Sequence, residues 1–201
     1  PVLTAALVAS VKEQYLAFIA EKNYEGAAAA IINGFGFNNM LGENVVGKYY
    51  FTRSTNVKGL DSKQFMSGPT EAEDAYDKNQ NLLPTEIVLG VGQMTPENFG
   101  DIVYSLFHEM THVIQFQSYN IFGEDRTFER EFMAYNSTFE FYNYNNNYMV
   151  LNMHQSTFNL YKTAFKNNYK ELMKSSMYNT GIKNNFSRIY GKTNLTTYYL
   201  Y

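Results

Sequence analysis

The chain has 201 residues, 45% hydrophobic and 17% charged, a composition that suits a folded core and excludes intrinsic disorder. Its formal net charge of −3 gives no electrostatic case for nucleic acid or an anionic membrane surface as the main partner. With no cysteine it has no disulfides, no thiolate metal ligands and no thiol nucleophile.

Leu3, Leu7, Val11, Leu16, Phe18 and Ile19 predict an amphipathic helix over about residues 3–22, and a second Ala-rich helix follows at 24–32. Lys12, Glu13 and Gln14 interrupt the apolar opening, so no membrane span is expected, and the basic start and cleavage site of a signal peptide are missing. Pro1 points either to a removed initiator methionine or to release from a larger precursor. One domain over 1–201 is expected, with 1–33 as an Ala-rich helical subdomain. Residues 36–85 read as loop-rich, with a strand at 48–53 and an exposed acidic loop at 71–81. A second strand is predicted at 86–92, rich in β-branched residues between Pro84 and Gly92.

Thr95-Pro96-Glu97 is a helix start, with a hydroxyl N-cap, proline at the first position and an acid in the first turn. Phe99, Ile102, Val103, Leu106, Phe107, Met110, Val113 and Ile114 carry the apolar periodicity onward, and a stop is expected between Asn120 and Gly123. Inside this helix His108-Glu109-Met110-Thr111-His112 spells H-E-x-x-H, using two of the chain's three histidines. Residues four apart share a helix face, so both imidazoles can bind one ion. Glu109 can flank that ion as a general base acting on water.

A third histidine of the H-E-x-x-H-x-x-G-x-x-H type is excluded, because Gln115 and Ser118 occupy those positions. A second helix is predicted from Thr127, after a break at Gly123, and should pack antiparallel to the first. It offers Glu131 and Glu129 as third ligands, with Glu140 and His154 further on; Glu129 faces another side and reads as solvated. Residues 142–148 look like a low-complexity loop. A helix over about 157–177 presents Lys162, Lys166, Lys170 and Lys174 opposite Tyr161, Phe165, Tyr169, Leu172 and Met173. From 141 to 201 seven basic residues face one acid, Glu171, which describes a solvated face or a dock for an acidic partner.

The run 108–115 followed by Arg130-Glu131-Phe132-Met133-Ala134-Tyr135 resembles gluzincin-type H-E-x-x-H zinc metallopeptidases. It is most similar to the compact peptidase modules at the C-termini of bacterial polymorphic toxins. The resemblance covers residues 108 to 135 and implies several things. The fold would be α+β and zincin-like, with a small sheet packed on the H-E-x-x-H helix and helices elsewhere. Zn²⁺ would be held by His108, His112 and Glu131, which lies 131 − 112 = 19 positions after the second histidine. Tyr135 stands where thermolysin-like relatives place an Asp that orients a histidine, so another partner must do that work here.

A protein or peptide substrate would lie along a sheet edge formed by 48–53 or 86–92. Oxyanion stabilisation would fall to His154 or Tyr135, with Tyr142 and Tyr148 next. A toxin would be secreted or delivered, and a cognate inhibitor (immunity) protein would cover the cleft or dock on the lysine stripe. The competing class is a non-enzymatic interaction module descended from a peptidase, with its metal lost or structural. An intact Glu109 argues against it, since a structural site needs no base. Zinc content and peptide cleavage separate the two.

Overall fold

A computed structural model describes residues 3–174. They form a mixed α+β structure, mostly helical, with one three-stranded sheet. In chain order the elements are α1 (Ala5–Ala20), α2 (Tyr24–Gly34), β1 (Tyr49–Arg53), β2 (Met66–Gly68), α3 (Ala72–Ala75), β3 (Thr85–Leu89), α4 (Phe99–Gln117), α5 (Thr127–Asn147) and α6 (Gln155–Lys174). No helix among them is long and apolar enough to cross a membrane.

The helix α4 is the axis of the structure. Seventeen of its 19 residues are buried, from Phe99 to Phe116. A helix apolar on most sides can only be satisfied by neighbours all round it. The pair α1 and α2 supplies one side, through Val11, Tyr15, Ile31 and Ile32, which share an apolar cluster with Ile102, Leu106 and Met110. The Tyr15 hydroxyl donates to the Thr95 carbonyl at 3.0 Å, fixing α1 to the start of α4. Thr95 is not the N-cap of this helix. An Asn98 N–H to Thr95 C=O bond of 3.2 Å closes a 3₁₀ turn over Pro96–Asn98, and α4 begins at Phe99. Similarly, Thr127 is the first residue of α5, and its hydroxyl accepts from Arg130 Nη2 at 3.1 Å.

The sheet covers another side of α4. Its order is β1-β3-β2, with β1 parallel and β2 antiparallel to β3. Ile87, Val88 and Leu89 are buried because β3 is the central strand. The expectation of an edge strand at 86–92 is therefore corrected: the edges are β1 and β2. The three residues of β2, Met66-Ser67-Gly68, carry no strand signal of their own. Their conformation comes from pairing Met66 with Val88 and Gly68 with Glu86, which local propensity cannot reveal.

Helix α5 runs antiparallel to α4, since His112 meets Glu131, His108 meets Tyr135, and Tyr104 meets Phe141 and Tyr142. It continues to Asn147, so most of the 142–148 segment read as a loop is helix. Buried Asn145 explains part of this: its amide donates to the Phe141 carbonyl at 2.7 Å and its Oδ1 accepts from the Leu3 N–H. Helix α6 buries Phe165 and Leu172, while Met173, expected on the same face, is 37% exposed. The predicted helical residues 175–177 lie outside the described residues.

One close approach tests this packing. A Cβ at Gly100, in the first turn of α4, would overlap the carbonyl oxygen of Asn152 in the segment leading to α6. Helix propensity alone favours alanine over glycine by about 1 kcal/mol. Gly100→Ala is nevertheless expected to destabilise the protein by about 1–3 kcal/mol, because backbone must move to admit the methyl group. Denaturant midpoints at unchanged m-value check this, and a stabilised variant would contradict the packing.

Candidate metal centre

His108 and His112 sit one turn apart on the face of α4 that meets α5, each about 95% buried. Their Nε2 atoms are 3.1 Å apart. The Glu131 carboxylate of α5 completes the group, with Oε2 3.4 Å from His108 Nε2 and Oε1 3.3 Å from His112 Nε2. Among the described residues this is the group of His, Asp and Glu side chains that could hold a metal ion. The separations fit one. Four ligands at 2.0–2.1 Å around a tetrahedral centre are about 3.3–3.4 Å apart. Two imidazole lone pairs and a carboxylate converging on one point are favourable only around positive charge.

Without a cation that charge is a proton. Burial would lower the His112 pKa, but the Glu131 carboxylate beside it, with help from Glu109, raises it from 6.5 to about 9. Burial likewise works against ionised Glu131, yet the two imidazoles hold it far below the usual carboxylate range. The Gln115 amide holds the other side of the His112 ring: Nδ1 lies 2.8 Å from its Oε1. His108 Nδ1 is buried without a hydrogen-bond partner among the described residues, and its ring is held by packing on Tyr135 at 4.4 Å.

Glu109 stands next to this group and outside it. The residue is buried, and Ser67 on β2 donates to its Oε2 at 2.8 Å. The group opens onto a cleft of about 640 Å³. Its lining includes Phe65, Met66 and Ser67 from the sheet side, Thr157, Leu160 and Tyr161 from α6, and Tyr135 from α5. Tyr161 shares a 2.9 Å hydrogen bond with Ser105 and meets the Tyr135 ring at 5.3 Å. Burial, and for Tyr135 also the Glu131 charge, pushes both phenols well above their ordinary pKa. Both stay protonated and can donate.

Of the residues singled out from the sequence, His108, His112, Glu131, Glu109 and Tyr135 meet in this cleft. His154 does not line it. Its Nδ1 lies 3.0 Å from Asp101 Oδ2 and its N–H donates to Asp101 Oδ1 at 2.8 Å, so it anchors the start of α6. Glu129 is not solvated: it is 5% exposed and clamped by Arg126 through two 2.9 Å bonds. Glu140 lines a separate cavity with Phe107 and Phe141. Tyr142 and Tyr148 do not line the cleft either.

Sequence reasoning missed Ser67, Tyr161 and Gln115. Only Gln115 left a signal, its position three residues after His112 and so on the same helix face. In comparisons with known proteins, no family model, no curated protein and no solved structure matches the chain.

A His with a raised pKa stabilises the metal-free fold fully below pH 6.5, and that contribution is lost as pH rises through about 9. A divalent cation must displace the His112 proton, so binding at pH 7 is expected to release about one proton from this residue. Affinity should rise about tenfold per pH unit up to pH 9. Calorimetry in buffers of different ionisation enthalpy measures the proton count; pH-independent affinity between 6.5 and 9 would contradict the assignment.

Proposed function

We propose that the chain is a zinc-dependent peptidase of the gluzincin type, with a zincin-like arrangement of helix and sheet. The observation that carries this reading is the separate placing of two carboxylates. Glu131 joins the histidines, while Glu109 is held beside them by a hydroxyl, outside the group that could bind the ion. A purely structural metal site has no use for the second.

His108, His112 and Glu131 would hold the ion. When bound, zinc supplies Lewis acidity, acidifying water and polarising a carbonyl. The chain's own groups do the rest. Ser67 occupies Oε2 of Glu109, which leaves Oε1 to take a proton from water and pass it to the leaving amine. Tyr135 and Tyr161, kept protonated, donate hydrogen bonds to the carbonyl oxygen as it gains charge. Among the described residues the outer edge of β2 pairs with no further strand, and it offers backbone groups along which an extended peptide can pair. We assign the oxyanion role to these two tyrosines in place of His154, which is committed to Asp101.

Purified protein is expected to carry about one zinc per chain and to cleave peptides. Glu109→Gln should keep the zinc and lower kcat about 10²–10⁴-fold, because an amide cannot accept the proton. Ser67→Ala should lower kcat by roughly 10- to 100-fold with little change in KM, the worth of one hydrogen bond to a charged group. Near-normal cleavage by the Glu109 variant would remove it from the mechanism.

The toxin-like motif pair also supports a role as the toxic end of a delivered bacterial polypeptide, opposed by an inhibitor that covers the cleft or the lysine stripe. Production in a bacterial cytoplasm should then arrest growth, with Glu109→Gln tolerated. Unimpaired growth at high levels of peptide-cleaving enzyme would leave an ordinary small peptidase.

A further inference from the structure

Gln115 touches both helices that carry the ligand group. Its Oε1 lies 2.8 Å from His112 Nδ1 on its own helix. Its Nε2 donates at 3.2 Å to the Arg130 carbonyl on α5, one residue before Glu131. The side chain is wholly buried, so water does not compete for either contact.

An amide can serve both neighbours in one orientation only. The Arg130 carbonyl is an obligate acceptor and must face the NH₂ group. A flipped amide would set oxygen against that carbonyl and NH₂ against the ring nitrogen. The carbonyl of α5 therefore turns the amide oxygen toward His112, and that oxygen demands a proton on Nδ1. The proton that a cation displaces is then the one on Nε2, and the lone pair it leaves there faces His108 and Glu131. A carboxylate at 115 could orient the ring as well, but it would meet the Arg130 carbonyl without a proton. It would also add a third negative charge beside Glu109 and Glu131.

We propose that Gln115 is a positioning residue that sets the His112 tautomer and ties it to the backbone bearing Glu131, so that one amide aligns ligands from two helices. This rests on the reading that His108, His112 and Glu131 bind zinc.

The test uses the full chain and zinc alone. Competition with a chromophoric chelator gives the affinity, and ¹⁵N NMR of the zinc-loaded protein reports which His112 nitrogen carries a proton and how fast it exchanges. In the wild type a slowly exchanging Nδ1 proton is expected. Gln115→Leu, which loses both contacts, should weaken zinc binding about 10- to 100-fold and expose that proton to exchange. Gln115→Glu, which keeps the acceptor, should retain the Nδ1 proton and bind zinc better than the leucine variant. Gly100→Ala, a destabilised control far from these contacts in the chain, should bind zinc as the wild type does.

Equal affinity of wild type and Gln115→Leu would overturn the role while leaving the zinc site standing. So would a rapidly exchanging or absent Nδ1 proton in the wild type, which needs no variant to fold. A wild type that binds no zinc would remove both this inference and the reading beneath it.

Discussion

The register of α5 along α4 is the constraint on which the rest depends. Phe107 and Phe141 stack at 4.3 Å with their planes 9° apart, and Phe37 packs edge-on against both at 5.2 and 5.5 Å. Such contacts have narrow distance and angle preferences, so they resist sliding as well as separation. A slip of one helical turn, about 5.4 Å, would carry Glu131 out of reach of both imidazoles. The meeting of Glu131 with the two imidazoles thus depends in part on aromatic contacts made farther along the same pair of helices. Ala134, three residues after Glu131 on α5, is wholly buried and adds only a methyl group there.

Within that frame, two carboxylates of the same chemistry are given different environments. Glu131 faces two imidazoles and is held strongly ionised, with a third of its side chain open to the cleft. Glu109 meets a neutral hydroxyl from the sheet and stays buried. One shares its charge with two imidazoles and the other with a single hydroxyl. The three-residue strand that supplies Ser67 pairs with β3 on one side and reaches Glu109 through the Ser67 hydroxyl. Its other edge is unpaired within the sheet, and it lies on the cleft wall.

What was legible in the sequence follows from the range of the interactions involved. Helices α1, α2, α4 and α6 showed in their periodicity, and the His108/His112 pair follows from helical geometry alone. The spacing of Glu131 came through a family resemblance, and α5 then delivered it to the histidines. Contacts between distant segments were not legible. Ser67 lies 42 residues before Glu109 in a stretch without strand propensity, and β2 exists only because β3 templates it. Tyr161 looked like part of an apolar helix face, which it is; that face happens to end at the cleft. Histidine is scarce and chemically versatile, which makes His154 a catalytic candidate in the sequence. Scarcity says nothing about position, and Asp101 claims it.

Asp101, Ser105, His108, His112 and Gln115 recur on α4 at spacings of four, three, four and three. That is the seam along which one helix meets its neighbours. Every member is buried, and every member is engaged. Asp101 caps the start of α6 through the His154 N–H and the Thr157 hydroxyl, the latter at 2.6 Å. Ser105 holds Tyr161 of the same helix. His108 and His112 meet Glu131, and Gln115 meets the Arg130 carbonyl. A buried polar seam is costly wherever a partner is missing. Its length therefore specifies how both α5 and α6 must dock, well beyond what apolar packing would require. The same five residues that make α4 an uneasy core helix are the ones that bring the His108, His112 and Glu131 group and the phenols of Tyr135 and Tyr161 to a single cleft.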